Sequence, residues 1–281
     1  ARSRNLQKLQ VMGIPLEDPT SLSTLRTLKH LEVSGLPSIA PISPLSQLHT
    51  LALQTMNLAS LAPLKSFSSL RRLSLYKVAV KQWSSLSELT QLQFLTLQDC
   101  VMASLKPLQH LTGLQSLTLG SIQLGNKSLG PLGNLTRLHY LYLSDLKIRN
   151  INALAKLQAL RHLHINLLPI RSLAPLARLK ELVLLYAKGS PIQSVAPLAK
   201  LMKLRILHLD QTGLRTLKPL LGHPTLSFIM APTTVPVTEV EMLRRESPGK
   251  SLLLHRCAPN KPPIAMKPFV RKPPVIPSRP R

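Results

Sequence analysis

The segment LQFLTLQDCVMASLKPLQHLTGLQSLTL, Leu92–Leu119, holds one complete structural unit and the start of the next. It opens with Leu-x-x-Leu-x-Leu at Leu92, Leu95 and Leu97, and the same spacing returns 22 residues later at Leu114, Leu117 and Leu119. Alternation within Leu-x-Leu has the period of a β-strand, with leucines on one face and the intervening residues on the other. Met102 follows as a further apolar position. Then Ser104-Leu105-Lys106-Pro107-Leu108 shifts the period to that of a helical or 3₁₀ turn, which tolerates proline near its start. One strand and one turn cannot bury their apolar face alone. They require copies of themselves on either side.

The copies are present. Leu-x-x-Leu-x-Leu, with conservative replacements, begins at Leu6, Leu28, Leu48, Leu70, Leu92, Leu114, Leu138, Leu160, Leu179, Leu204 and Leu226. The usual spacing is 22 residues, with 20 before Leu48, 24 before Leu138, and 19 and 25 on the two sides of Leu179. The turn signature recurs at Ser60–Leu64, Ser172–Leu176, Ser194–Leu198 and Thr216–Leu220. A long helical bundle is excluded, because units with a central Pro-Leu cannot run as unbroken helices. The pattern predicts an α/β solenoid with a parallel sheet on its concave face and short helical or 3₁₀ turns on its convex face. About ten repeats fill residues 1–231, a cap of helix, Pro-Gly turn and strand fills 232–255, and an extended tail fills 256–281. Each buried leucine contributes about 1.5–3 kcal/mol, so loss of one in mid-array weakens its neighbours too.

Residues 6 to about 232 resemble the 22-residue class of leucine-rich repeats, a class that includes internalins and phosphatase-regulatory repeat proteins. The segment Thr238–His255 is similar to the elements that close such arrays, with Thr238 expected as N-cap and Glu241 completing a capping box. One position departs from the class. Where the resemblance implies Asn, Cys or Thr nine residues into the repeat, this chain has Leu36, Met56, Val78, Cys100, Ile122, Leu146, Leu168 and Thr212. Apolar packing therefore replaces most of the asparagine ladder, which argues against assigning the chain to the internalins. Cys100 reads as structural.

Composition narrows the partners. Lys and Arg number 36 against 11 Asp and Glu, a formal charge of +25, and nucleic acid or an anionic membrane surface are the obvious counterparts. Residues 19–231 alone hold 23 basic and 6 acidic residues, so the repeats themselves are strongly positive. Cys100 and Cys257 are too few for a disulfide framework or a four-ligand zinc site, and a reducing, intracellular setting is expected. No apolar run reaches the length of a transmembrane helix. Ala1, Arg2 and Arg4 fit the end of a cleaved basic presequence.

The outward strand positions define the expected binding face. One column reads Lys29, His49, Arg71, Gln93, Gln115, His139, Arg161, Lys180, Arg205. The next reads His30, Thr50, Arg72, Phe94, Ser116, Tyr140, His162, Glu181, Ile206, and that inside Leu-x-Leu ends Tyr142, His164, Val183, His208. Tyr140, Tyr142, His162, His164 and His208, beside Arg161 and Arg205, are expected to form one patch suited to base stacking or to packing against a protein. Exposed strand positions favour Tyr and Thr in any case. Adjacent strand histidines such as His162 and His164 can chelate, but no acid or thiol stands beside them, so no metal site is assigned. No phosphate loop, carboxylate pair or nucleophile elbow is present. The reading is of a non-enzyme with no catalytic residue, no cofactor and no small-molecule substrate.

After the last repeat the composition changes sharply. Residues 256–281 contain eight prolines, seven basic residues and no acid. Such a segment stays extended when free, and Arg256, Lys261, Lys267, Arg271, Lys272, Arg279 and Arg281 are candidate RNA contacts. The chain resembles a lineage-specific scaffold subunit of a mitochondrial ribosome. That likeness implies neighbouring proteins of a large complex and rRNA as partners, and the mitochondrial matrix as location. The alternative is a soluble regulatory adaptor, cytosolic or nuclear, that grips one protein through the concave face. A lipid-bound peripheral scaffold has no amphipathic helix to support it.

Overall fold

Each Leu-x-Leu segment forms a strand, and each strand pairs in parallel with the next repeat's. The structure is a computed structural model that describes residues 5–13, 18–246 and 253–256. Among these residues a twelve-stranded parallel sheet runs in chain order from Lys8–Val11 to Leu253–Arg256. Its register places like positions of successive repeats side by side, as in Leu95↔Leu117 and Leu141↔Leu163. Ten 3₁₀ segments cover the opposite side. Between the two layers the leucine columns are shut off from water: Leu73, Leu95, Leu117, Leu141, Leu163, Leu185 and Leu207 are at most 1% exposed. Two strands, Thr50–Ser60 and Arg72–Gln82, continue around the corner of the coil, and Val101–Met102 pairs with Gln123–Leu124 in the same flanking position.

The serine of the turn signature has a structural task. Its hydroxyl accepts the backbone N–H two residues on, at the mouth of the 3₁₀ segment: Ala62 N to Ser60 Oγ at 3.0 Å, Ala174 N to Ser172 Oγ and Ala196 N to Ser194 Oγ at 3.2 Å. Asn150 does the same through its Oδ1 for Asn152 N at 2.8 Å. Proline then occupies the first turn, where its missing N–H costs nothing.

A second periodic feature was not evident from composition. The residue before each ladder position sits in the left-handed region: Gly35, Thr55, Lys77, Asp99, Ser121, Asp145, Leu167, Gly189 and Gln211. This backbone turn takes the chain off the sheet. Its N–H donates to the next repeat, as from Asp99 N to Gly120 O at 3.0 Å and from Leu167 N to Lys188 O at 2.8 Å. The ladder positions behind it are buried and mostly apolar, as expected. Cys100 is 1% exposed with its Sγ 3.4 Å from Gln98 O, and burial pushes its thiol pKa up, as suits a structural side chain.

Two expectations need correction. The repeat assigned to Leu179 begins instead at Leu182, which restores 22-residue spacing from Leu160 and to Leu204. Strand Leu184–Tyr186 pairs His162↔Leu184 and His164↔Tyr186, while Leu179 closes the preceding 3₁₀ segment. The misreading came from a second Leu-x-x-Leu at Leu179 and Leu182, and from Ala187 standing where the last strand leucine was expected. Ser190 therefore takes this repeat's ladder position. It is fully buried and donates to Ile165 O at 2.8 Å while accepting from Leu168 N at 3.2 Å.

The second correction concerns the cap. Its helix spans Val237–Arg245 with Pro236 as N-cap and no side-chain capping bond, so Thr238 lies inside the first turn. Glu239 is the anchoring residue. Buried against the last repeat, it accepts Thr216 Oγ1 and Leu217 N, both at 2.8 Å. The carboxylate thus reaches from the cap into the mouth of the last 3₁₀ turn. Arg256 ends the final strand. The expected Pro-Gly turn, together with Lys261, Lys267, Arg271, Lys272, Arg279 and Arg281, lies outside the described residues.

Candidate partner-binding surface

Strands of a parallel sheet lie about 4.7–4.9 Å apart. In-register ring side chains at the same strand position are therefore held near stacking distance. In the column inside Leu-x-Leu, successive strands supply Tyr142, His164, Tyr186 and His208. His164 stacks on Tyr186 with centroids 4.6 Å apart and planes 10° from parallel, and Tyr186 stacks on His208 at 4.0 Å and 17°. His208 then meets Phe228 at 5.0 Å. At the other end Tyr142 and Tyr140 each tilt against His164 at 5.4 Å, and His162 lies edge-on to Tyr140 at 6.4 Å. The structure thus brings together Tyr140, Tyr142, His162, His164 and His208, as the strand positions implied.

It also adds two rings that the sequence reading missed. Tyr186 was hidden by the displaced repeat start. Phe228 follows Leu226 by two residues, as Phe94 follows Leu92, and this was signal enough had the columns been carried one repeat further. Tyr186 has a ring stacked on each face, so the centre of the ladder presents ring edges to the concave side.

Lys180, Glu181 and Val183 leave the columns to which they were assigned. Glu181 lies before the strand and pairs with Lys203 of the next repeat at 2.6 Å. Val183 takes the first column between Arg161 and Arg205, and Leu184 lies between His162 and Ile206 in the second. Val183, Leu184, Ile206 and Phe228, all partly exposed, make an apolar strip beside the rings. Arg161 and Arg205 are exposed along its margin. Val183, Met202, Lys203, Arg205 and Thr225 line a shallow recess there.

The two half-buried histidines of the ladder, His164 and His208, are neutral. Burial, then repulsion from His162 and His208, takes the His164 pKa down to about 4. Burial also lowers His208, with Lys188 adding to the shift and Asp210 opposing it. Both rings are therefore uncharged imidazoles at neutral pH, with one nitrogen available as acceptor. Below the ladder Asp210 pairs with Lys188 at 3.1 Å, and its Oδ1 meets no donor among the described residues. The opposite end of the concave face is basic, with Lys29, Arg71 and Arg72, and the Arg72 guanidinium lies 3.9 Å over the Phe94 ring. Among the described residues no group of three or more His, Cys, Asp or Glu gathers in a way that would hold a metal ion.

Parallel strands in chain order, 3₁₀ segments opposite and a leucine column between them decide the architecture. The fold is a leucine-rich-repeat solenoid. No protein-family model and no curated protein matches the sequence. Solved structures similar in fold include internalins of Listeria monocytogenes. One, the inlF internalin, aligns at 23% identity with a TM-score of 0.71, over 90% of this chain and 82% of its own. Internalin C2 aligns at 28% identity with a TM-score of 0.53, over 71% and 77%. The functional domain of InlJ, which includes a cysteine ladder, aligns at 18% identity with a TM-score of 0.65, over 90% of this chain and 59% of that one. In this chain the position nine residues into the repeat is aliphatic or methionine at Leu36, Met56, Val78, Ile122, Leu146 and Leu168, and three further repeats carry Cys100, Ser190 and Thr212 there. No described helix is long and apolar enough to cross a membrane.

Proposed function

We propose that this protein is a non-enzymatic scaffold that grips a partner protein in the concave face of its C-terminal leucine-rich repeats. The observation that carries this reading is the ring ladder from Tyr140 to Phe228 with its apolar strip. Rigid, partly exposed aromatics beside apolar side chains, rimmed by Arg161 and Arg205, have the composition of a binding hot spot. Splayed nucleotide bases need open ring faces. Here the central faces are already covered by neighbouring rings, and the exposed edges suit apolar contact and hydrogen bonding with a protein.

The test is affinity purification of the native protein after nuclease treatment, compared with a Tyr186→Ala/His208→Ala variant. The expected result is a stoichiometric protein partner that survives nuclease and is lost in the variant, with affinity down by at least about 30-fold, the ~2 kcal/mol of a hot-spot truncation. A partner retained equally by both proteins overturns the concave-face assignment.

A narrower reading makes the partner assembly a large ribonucleoprotein, a mitochondrial ribosome above all, and places the chain in the matrix. Its support is the charge of +25, too large for solvation alone to require. Gradient sedimentation tests it: co-migration with a ribosomal subunit that nuclease abolishes favours it, and a small nuclease-insensitive species favours the single-partner adaptor.

A further inference from the structure

The excess charge has a place on the fold away from the concave surface. Where the chain leaves each apolar corner position and enters the 3₁₀ segment, successive repeats carry Arg149, Arg171, Gln193 and Arg215. Each arginine stands three residues before its segment: Asn152–Lys156, Ala174–Arg178 and Lys218–Leu220. A second row, Lys156, Arg178 and Lys200, stands seven residues after the first row's place in each repeat: Lys156 and Arg178 end their 3₁₀ segments, and Lys200 follows Ala196–Leu198 by two residues. All six cations are exposed.

Folding stability accounts for part of the second row alone. Cations at the end of a helical turn answer its negative pole, which suits Lys156 and Arg178. The arginines lie at the opposite end, where the local dipole disfavours them. Nor do acids neutralise them. Within the same repeats Glu181 is held by Lys203, Asp210 by Lys188, and Asp145 accepts from Ser121 at 3.4 Å. Among the described residues none of the six forms an ion pair. Beside Arg149, the residues Asn150, Asn152, Ala155, Ser172, Ala174 and Pro175 line a groove between adjacent 3₁₀ segments.

The geometry points to this double row as a docking track for the phosphodiester backbone of a nucleic-acid strand. Each of the four repeats carries one or two of these charges along the solenoid, and a linear polymer with one anion per unit matches that layout. An acidic peptide would need apolar anchors, and the positions between the cations that are not buried are Asn, Ser, Ala and Pro. A membrane would need insertable side chains, and the exposed large apolar residues Val101, Leu167, Met202, Val237 and Met242 fall outside these rows. Recognition of this kind is electrostatic and indifferent to sequence. The track is separate from the ring ladder, so either can fail while the other stands.

The experiment uses the full chain with Lys261, Lys267, Arg271, Lys272, Arg279 and Arg281 changed to Ala, so that charge beyond the final strand does not contribute. A labelled uridine oligonucleotide is titrated against it between about 50 and 200 mM salt. Removal of three phosphate contacts by Arg149→Ala/Arg171→Ala/Arg215→Ala is expected to flatten the slope of log K on log salt by about 2, at ~0.7 per single-strand contact. The variant then loses roughly 20-fold less affinity than its parent across that range, starting from weaker binding at low salt. Arg→Lys at the same three sites keeps the slope. Equal affinity and slope in parent and Ala variant overturns the proposal, as does a parent that fails to bind. Polyglutamate or phosphatidylserine vesicles bound more tightly than the oligonucleotide, with the same arginines required, would overturn it in favour of an acidic peptide or a lipid surface.

Discussion

Protonation of His164 works against the ring ladder, and the consequence is measurable. The free side chain titrates near 6.5, whereas in the folded protein burial and two neighbouring histidines bring it to about 4. The folded state therefore binds its proton later than the unfolded chain does. Above 6.5 both forms are neutral and the group contributes no pH dependence. As pH falls from 6.5 to about 4, the unfolded state gains a proton that the folded state refuses, and stability drops by about 1.4 kcal/mol per pH unit. Integrated over that window the loss is about 3 kcal/mol, and below it the curve flattens for this group. His208 acts in the same direction. Urea denaturation followed by circular dichroism from pH 7.5 to 4 measures the slope. The His164→Phe variant keeps a ring between Tyr142 and Tyr186 but removes the titration. Carboxylates titrate equally in both proteins, so the difference between the two curves isolates His164. It should open steadily between pH 6.5 and 4, with the variant the less pH-sensitive. Parallel curves would refute the assignment of a buried, neutral imidazole at the centre of the ladder.

Other substitutions probe the frame around the site. Leu167 holds a left-handed conformation (φ 55°) while 54% exposed, so it bears backbone strain with little burial in return; Leu167→Gly should raise stability by about 1 kcal/mol, read as a higher urea midpoint. Gly189 occupies the same position one repeat later, and a Cβ there would fall 2.6 Å from Leu167 Cδ2; Gly189→Ala should destabilise by at least about 1–2 kcal/mol from the backbone alone, and an unchanged midpoint would contradict the steric account. Glu239 is predicted to fasten the cap. Glu239→Ala leaves Leu217 N–H without its acceptor and should cost about 1.5–3 kcal/mol, seen as faster amide exchange over residues 217–221, with exchange in the central repeats unaffected.

The legibility of this protein follows the strength of its repeats. Leu-x-x-Leu-x-Leu and Ser-Leu-x-Pro-Leu each describe a local geometry, and their alternation leaves a stacked coil as the only way to bury the leucines. The concave columns were readable for the same reason, and Tyr140, Tyr142, His162, His164 and His208 do converge. The reading failed where local pattern was degenerate. Leu179 and Leu182 offered two starts for one repeat, and local spacing could not choose between them. Pairing with both neighbours did, because a shifted strand would turn its apolar side chains out of the core. That choice moved Tyr186 into the ladder and Glu181 out of it. Thr238 failed differently: a capping box is a local motif, and the helix start was decided by docking Glu239 onto the preceding repeat.

Leucine spacing, proline placement and net charge already dictated a basic, curved array with outward columns, because each is a property of residues near one another in the chain. Contacts between repeats decided the rest. The face-to-face order of His164, Tyr186, His208 and Phe228, the neutrality of the buried imidazoles, the left-handed turn shared by Asp99, Asp145 and Leu167, and the alignment of Arg149, Arg171 and Arg215 relate residues 22 or more positions apart, or depend on burial that those neighbours create. Such features are set by strand register and desolvation, and both arise only when the coils are stacked.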